Sequence, residues 1–188
     1  MWWSVALVAL LSAVELTTLL WSADFLRDRG TASPAQAAAL VSSVTIFLLL
    51  GRLVGSRLSK RYAIDSLLRL GILVALIGFG VAWIQPHVIT MSLGLFISGI
   101  GLSLNWPLGI ARATIACRNR STQATSLVSL FGCIAIAIVP FTLGSTADAV
   151  VVHLTFLIVP GNLLSATLVL VIQPQRVDRG ASISGTGF

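Results

Sequence analysis

Long apolar runs, separated by short polar gaps, dominate the chain. A helix needs about 20 apolar residues to cross the roughly 30 Å of hydrocarbon in a bilayer. Six runs approach that length, at approximately residues 2–21, 35–54, 67–84, 88–111, 122–143 and 149–172. A membrane β-barrel would instead need apolar and polar residues to alternate. The pattern therefore predicts an all-α integral membrane fold, with six transmembrane helices over residues 1–174 and a disordered cytoplasmic tail over 175–188.

The composition excludes a soluble globular domain. The chain is 56% hydrophobic and only 10% charged, whereas soluble domains carry about 25% charged residues. The net charge of +6 lies in the gaps between apolar runs, which favours a bilayer over nucleic acid as the partner. The sequence has no zinc-type spacing of Cys and His, no phosphate-binding Gly loop and no supported Ser/His/Asp arrangement. We therefore expect no cofactor, no metal, no nucleic-acid partner and no enzymatic activity.

The basic residues predict the orientation of the helices. With six spans both termini share one side of the membrane, and that side holds ten of the 12 Lys and Arg residues. The other side has Arg27 and Arg29, which stand next to Asp24 and Asp28. Short loops rich in Lys and Arg remain in the cytoplasm. We therefore expect a multi-pass protein of the plasma membrane, the inner membrane in a bacterium, with both termini cytoplasmic.

The spacing of the runs indicates an internal duplication. The last three runs repeat the spacing of the first three. An odd number of spans per unit inverts the second unit, as in many secondary transporters. The pattern thus favours a 3+3 inverted repeat, although six evenly spaced helices would give the same spacing.

The most specific motif follows the second run. Residues 51–63 read Gly-Arg-Leu-Val-Gly-Ser-Arg-Leu-Ser-Lys-Arg-Tyr-Ala. This segment resembles the loop signature of the major facilitator superfamily, in which a Gly-rich helix end runs into a basic cytoplasmic turn. The residues that carry the motif are Gly51, Arg52, Gly55, Arg57, Lys60 and Arg61. The usual acidic position of the family is Lys60 here, and the trailing basic pair is Ile64 and Asp65, so the loop lacks the acid of the family's charge relay.

The same loop also has a direct physical interpretation. Gly51 and Gly55 form a Gly-x-x-x-Gly pair, which lets a neighbouring helix approach closely. Arg57, Lys60 and Arg61 can cap helix carbonyls and hold the cytoplasmic face. The alternative for these charges is simple anchoring at the membrane surface.

Other segments resemble the carboxyl-terminal half of the same family. Glu15 and Trp21 stand on the first run, Ser33-Pro34 opens the second, and Pro107 follows two glycines in the fourth. The resemblance covers residues 2–172 and implies one six-helix half, of the fucose-permease-like or sugar-transporter-like branch. It implies a secondary active transporter half that moves a small, sugar-like polar solute by alternating access, as a proton-coupled symporter. Its expected partners are the lipid bilayer, the solute and a second six-helix half, either a separate chain or a second copy.

Two alternatives to this function remain open. The chain could be half of a drug or metabolite exporter, or a truncated fragment that inserts into the membrane without transporting. The small number of charges along the apolar runs argues against a highly charged cargo.

Glu15 is the strongest single candidate for a solute or proton site. It lies about 20 Å into the first run at 1.5 Å per residue, and it shares a helical face with Thr18. No Lys or Arg is expected at its depth, so Glu15 should be neutral, pair with a partner outside the chain, or meet the solute. The alternative is a protonated carboxyl bonded to a neighbouring helix.

The fourth run supplies the other candidates. A polar and glycine face consists of Gly94, Ser98, Gly101 and Asn105. Ser98 and Asn105 are candidates for contact with a hydroxylated solute, and Trp106 for stacking on a sugar ring. Close helix packing is the alternative for the glycines, and interfacial anchoring is the alternative for Trp106. Pro107 predicts a kink, because it removes one helical hydrogen bond.

Overall fold

The computed structural model describes residues 2–30, 32–84, 87–116, 121–147 and 157–172, and nearly all of these residues are helical. The helices are α1 (Trp2–Gly30), α2 (Pro34–Leu58), α3 (Ile64–Ile84), α4 (Val88–Leu102), α5 (Asn105–Ala116), α6 (Ser121–Ala147) and α7 (Ile158–Ile172). No strand occurs in these described ranges. The predicted all-α membrane fold is confirmed. The predicted tail over 175–188 and the start of the sixth predicted run lie outside the described residues.

Four helical stretches are long and apolar enough to cross a membrane: Trp3–Arg29, Pro34–Leu58, Ile64–Ile84 and Val88–Ile115. Two shorter apolar stretches follow, at Thr125–Ile138 and Ile158–Ile172. Large apolar side chains cover the outer surface, and Leu70, Leu73 and Ile77 of α3 are each at least half exposed. An outer surface of this kind suits contact with acyl chains, because a soluble protein rarely exposes so large an apolar area. The 3+3 inverted repeat stays a prediction.

α1 continues nine residues beyond the end predicted at Trp21. The charged residues of its last turns do not end the helix, because Phe25 and Leu26 between them are fully buried. The Phe25 ring stacks on Trp83 of α3 at a centroid distance of 5.8 Å. The Arg29 guanidinium lies 4.6 Å from the centroid of the same Trp83 ring. The extension thus packs the C-terminal end of α1 against α3.

α2 begins at a complete capping box. Gln36 N donates to Ser33 Oγ at 3.3 Å, and Ser33 N donates to Gln36 Oε1 at 3.0 Å. Pro34 occupies the first helical position, where a backbone N–H would have no partner within the helix, so the lack of this group costs no hydrogen bond. The helix runs four residues past the end predicted at residue 54 and finishes at Leu58. This extension places Arg52 deeper in the helix than the sequence pattern indicates.

The fourth run divides into α4 and α5 at Ser103 and Leu104. Pro107 has no N–H to donate to the carbonyl of Ser103, four residues earlier, so the helical ladder is interrupted there. The ladder is intact on both sides, since Ser103 N donates to Gly99 O at 3.0 Å and Leu108 N donates to Leu104 O at 3.1 Å. The hydrogen bond that Pro107 is predicted to remove thus coincides with the break between α4 and α5, and the kink itself stays a prediction.

Facing glycines bring α3 and α4 into backbone contact. A Cβ atom at Gly78 would lie 2.6 Å from the carbonyl oxygen of Gly94, and one at Gly71 would lie 2.7 Å from that of Gly101. Real side chains do not fit at such distances, so all four positions require the absence of a Cβ. For the glycines of the fourth run, the packing interpretation is therefore confirmed.

Candidate functional site

An ion pair joins the middle of α1 to α2. Arg52 Nη2 donates to Glu15 Oε1 at 2.7 Å. The Glu15 side chain is 13% exposed and the Arg52 side chain is 46% exposed. The expectation that no basic residue of the chain lies at the depth of Glu15 is therefore wrong, because the chain supplies the partner itself.

The depth of Arg52 explains the error. α2 begins four residues after α1 ends, so the two helices run in opposite directions. The sequence pattern ended the second run at residue 54 and placed Arg52 at the membrane surface, whereas the helix continues to Leu58. A long arginine side chain, more than a turn inside the helix end, then reaches Glu15 near the centre of α1.

Two cavities border this ion pair. The first, here called the Glu15 cavity, has a volume of about 270 Å³ and is lined by Ser12, Glu15, Leu16, Leu19, Arg52, Trp106 and Ile136. The second, called the loop-side cavity, has a volume of about 530 Å³ and is lined by Arg52, Gly55, Ser56, Ser59, Ile64, Leu104, Trp106, Pro107, Leu108 and Ala111. Arg52 and Trp106 line both cavities. One cationic and one aromatic side chain therefore stand at the boundary between them.

Trp106 owes its position to a glycine on α6. A Cβ atom at Gly132 would lie 2.8 Å from two atoms of the Trp106 ring, Cη2 and Cζ3. The glycine therefore makes room for the ring against α6. Ser12 Oγ lies 3.9 Å from the same Cβ position, and it is buried without a hydrogen-bond partner among the described residues. The structure brings Glu15 and Trp106, both candidates from the sequence, to the same cavity.

Ser98 and Asn105 lie elsewhere. Both are buried, and their side-chain polar atoms have no hydrogen-bond partner within the described part of the chain. Neither residue lines the Glu15 cavity or the loop-side cavity. Asn105 Oδ1 is 4.0 Å from the position of a Cβ at Gly71, which places the amide at the packed α3 side. The face that these residues share with the glycines is a packing face, so their role in solute contact stays a prediction without support from the cavities.

Thr18 does not join Glu15 in its cavity. Its Oγ1 donates to the carbonyl of Val14 at 2.8 Å, and the residue is 1% exposed. A threonine hydroxyl that bonds to its own helix needs no other partner. The hydroxyl of Ser22 in turn donates to the carbonyl of Thr18. Of the two polar residues predicted to share a face of α1, Thr18 is thus satisfied within the helix and Glu15 lines a cavity.

A second ion pair, more deeply buried, links α3 and α5. Arg112 Nε donates to Asp65 Oδ1 at 2.8 Å, with the Arg112 side chain 1% exposed and that of Asp65 11% exposed. Arg112 Nη1 also lies 3.5 Å from Ser4 Oγ on α1. Sequence reasoning missed this pair. The available signal was that Arg112 comes directly after the fourth run, and that Asp65 lies in the first turn of the third helix.

The Gly51 and Gly55 pair packs against the break between α4 and α5. A Cβ atom at Gly51 would lie 2.7 Å from the Ser103 Cβ, and one at Gly55 would lie 2.8 Å from the Leu104 Cγ. The predicted close approach of a neighbouring helix is confirmed at both positions. Arg57, Lys60 and Arg61 are exposed around the turn that follows.

Comparison with known proteins agrees with this geometry. The sequence profile of the Major Facilitator Superfamily matches residues 2–186, which is nearly the whole chain. The chain belongs to the Major Facilitator Superfamily. This membership confirms the resemblance drawn from the loop motif and agrees with the apolar, membrane-spanning helices of the structure. The branch within the superfamily stays a prediction.

One curated relative of known length shows how much of a superfamily protein the chain represents. The chain is similar, with 28% identity over 171 residues, to this relative, a Sinorhizobium fredii (strain NBRC 101917 / NGR234) protein named "Uncharacterized transporter y4wD". The matched region covers 90% of this chain and 45% of the relative. The chain therefore spans about half the length of this relative. No solved structure matches the chain.

Asp65 follows the superfamily loop and does not occupy its usual acidic position. In this chain the acidic position of the loop is Lys60, which is exposed. Asp65 stands five residues later, in the first turn of α3, and pairs with Arg112. The acid that pairs with a neighbouring helix in this chain therefore belongs to α3, and the usual acidic position of the loop holds an exposed lysine.

Proposed function

We propose that this chain is one six-helix half of a secondary active transporter, which moves a small polar solute across the bacterial inner membrane by alternating access and with proton coupling. The observation that carries the proposal is the Glu15–Arg52 ion pair beside two cavities, in a helical body whose outer surface is largely apolar. Ionisable side chains at membrane depth face solute or ion pathways far more often than lipid. Membership of a transporter superfamily supports the same conclusion.

The proposal includes a second six-helix unit. The chain matches 45% of the length of its curated relative. Four helices contribute side chains to the Glu15 cavity, namely α1, α2, α5 and α6. A cavity of this kind, at the surface of a half, becomes a central passage when a second unit covers it, and rocking of the two units exposes the site to each side in turn. The second unit is either a separate polypeptide, a second copy, or a further part of the same protein.

Proton coupling follows from the chemistry of Glu15. A carboxylate that pairs with Arg52 in one state can take a proton when the pair separates in another. Coupling requires that solute and proton favour the same conformational state. Glu15 can provide this link because its carboxyl lines the cavity that the solute would enter. Both termini are proposed to lie in the cytoplasm, since most basic residues share their side.

A transport measurement tests the proposal. The chain, assembled with its second unit, is placed in liposomes and offered sugars, small organic acids and drugs under an imposed inward proton gradient. We expect one class of solute to accumulate, and the accumulation to collapse when a protonophore is added. Accumulation that survives the protonophore would contradict proton coupling. An assembly that folds and moves none of the solutes would favour the alternative of a fragment without transport activity.

A further inference from the structure

We infer that the solute of this transporter carries one carboxylate, which binds the unoccupied edge of the Arg52 guanidinium, and that each solute moves together with one proton held by Glu15. This inference rests on the proposed function and names the solute class of the same site. It replaces a neutral sugar by a small monocarboxylate.

The first step is the hydrogen-bonding capacity of Arg52. A guanidinium has five N–H donors in a planar fork, which matches a carboxylate through two parallel bonds. Among the described residues, the side chain makes one polar contact, from Nη2 to Glu15 Oε1. The side chain is 46% exposed and lines both cavities. An edge of the fork is therefore available to a ligand in either cavity.

The second step concerns the walls of the Glu15 cavity. Trp106 lines this cavity together with Arg52 and Glu15, and the rest of the lining is apolar except for Ser12, with Leu16, Leu19 and Ile136. A ligand with a carboxylate at one end and a small body that contacts an aromatic ring fits this arrangement. The cavity volume of about 270 Å³ lies just below the usual range for drug-sized ligands, about 300–1,000 Å³. A small monocarboxylate therefore fits within the part of the site that this half provides.

The third step is the charge balance at the site. Glu15 and Arg52 together are neutral. A monocarboxylate that joins them leaves one uncompensated negative charge among apolar walls, which is strongly unfavourable. Protonation of Glu15 restores neutrality, and it also releases Arg52 to form two bonds with the ligand. The solute anion and one proton therefore bind together.

The positions of the other charged side chains near α1 indicate that Glu15 is the group that takes up the proton. Of the helices that contact α1, the described parts of α4, α6 and α7 contain no Asp, Glu, Lys, Arg or His. The titratable thiol of Cys133 on α6 is exposed. On α5 Arg112 is paired with Asp65, and on α2 the other cation, Arg57, is exposed beyond Arg52 towards the end of the helix. The remaining charges of α1 lie in its last turns, from Asp24 onward.

This arrangement fixes the stoichiometry. One monoanion and one proton cross together, so the cycle carries no net charge and breaks no covalent bond. After release of both on the far side, the carboxylate of Glu15 pairs with Arg52 again. A neutral solute would leave the ion pair intact and would take up no proton. The transport of a monocarboxylate should therefore respond to a pH gradient and be insensitive to the membrane potential.

Ligand binding to the full assembly in nanodiscs tests the inference. The probes are lactate, gluconate and benzoate, each compared with a neutral counterpart, namely lactamide, glucose and benzamide. Binding is followed by the shift in thermal unfolding, and proton uptake by a pH dye in weak buffer. We expect at least one carboxylate to bind at least tenfold more tightly than its counterpart, with close to one proton taken up per molecule bound.

Two variants separate the roles of Arg52 and Glu15, and two further variants are controls. Arg52→Lys should weaken binding of that carboxylate at least tenfold, because an ammonium lacks the planar fork. Glu15→Gln should retain binding and lose the proton uptake. Arg27→Lys and Asp24→Asn are the matched controls, since they alter an exposed Arg–Asp pair on α1, with 3.9 Å between the charged atoms. Both controls should behave as the wild type.

The inference is overturned if none of the three carboxylates binds more tightly than its neutral counterpart, or if Glu15→Gln still takes up a proton on binding. The experiments distinguish failure of this inference from failure of the proposed function. Accumulation of a neutral sugar under a pH gradient would leave the transporter standing and refute the carboxylate. Proton-linked binding of a carboxylate, with no movement into liposomes, would support the site and refute transport.

Discussion

Arg52 of α2 bonds to Glu15 of α1 near the centre of that helix, although the two residues are 37 positions apart in the sequence. The pair connects two antiparallel helices and lines the cavity where Trp106 also stands. It therefore combines a structural contact with a position from which a solute can be reached. The proposed function depends on this combination.

The buried Asp65–Arg112 pair should contribute strongly to stability. Asp65→Asn leaves the Arg112 charge buried without its full partner, and loss of one member of a buried pair costs about 3–5 kcal/mol. Asp24→Asn removes one member of an exposed pair, for which the effect is about 0–1 kcal/mol. Thermal unfolding of both variants in detergent measures the difference. Equal unfolding temperatures would show that the Asp65 pair is not a structural link.

Gly55 should tolerate no larger side chain. Gly55→Leu places atoms where Leu104 already lies, and overpacking of this kind costs about 1–3 kcal/mol. We expect lower thermal stability and slower transport. Gly80→Leu is the control, because a Cβ at Gly80 meets no atom within 4 Å. A Gly55→Leu protein with the stability and transport rate of the wild type would refute the packing role of this glycine.

Trp106 should move when its space on α6 is filled. Gly132→Val introduces side-chain atoms against the ring, which the structure holds in contact with both cavities. We expect a change in tryptophan emission and about a tenfold weaker affinity for the transported solute, the order of one lost contact of 1.4 kcal/mol. Gly144→Val on the same helix is the control, since nothing lies within 4 Å of its Cβ position. Wild-type emission and affinity in Gly132→Val would remove Trp106 from the site.

The orientation can be tested by chemical labelling. Ser59→Cys and Ser33→Cys are introduced separately after both native cysteines are changed to serine; both positions are exposed, at opposite ends of α2. The distribution of basic residues predicts that Ser59→Cys reacts with an impermeant maleimide from the cytoplasmic side and Ser33→Cys from the other. The reverse pattern would contradict the cytoplasmic location of the termini.

The sequence predicts the all-α membrane fold correctly because apolar runs in a bilayer can satisfy their backbone only as helices or closed barrels. Pro107 and the aligned glycines act through backbone geometry, so their effects were also predictable. Contacts between side chains on different helices were not. The Glu15–Arg52 pair depends on where α2 ends, and the Asp65–Arg112 pair joins residues 47 positions apart. For Asn105, helical spacing defines a face, but neither the neighbour of that face nor its distance from the cavities follows from spacing.

The most direct test of the account compares accumulation with exchange in the Glu15→Gln variant. In liposomes that contain the full assembly, the wild type should accumulate solute under an inward proton gradient and should also exchange labelled for unlabelled solute without a gradient. Glu15→Gln should lose accumulation and keep exchange, because exchange needs no proton release, while Asp24→Asn should retain both. Accumulation by Glu15→Gln at the wild-type level would contradict the central claim that the Glu15–Arg52 pair couples solute movement to protons.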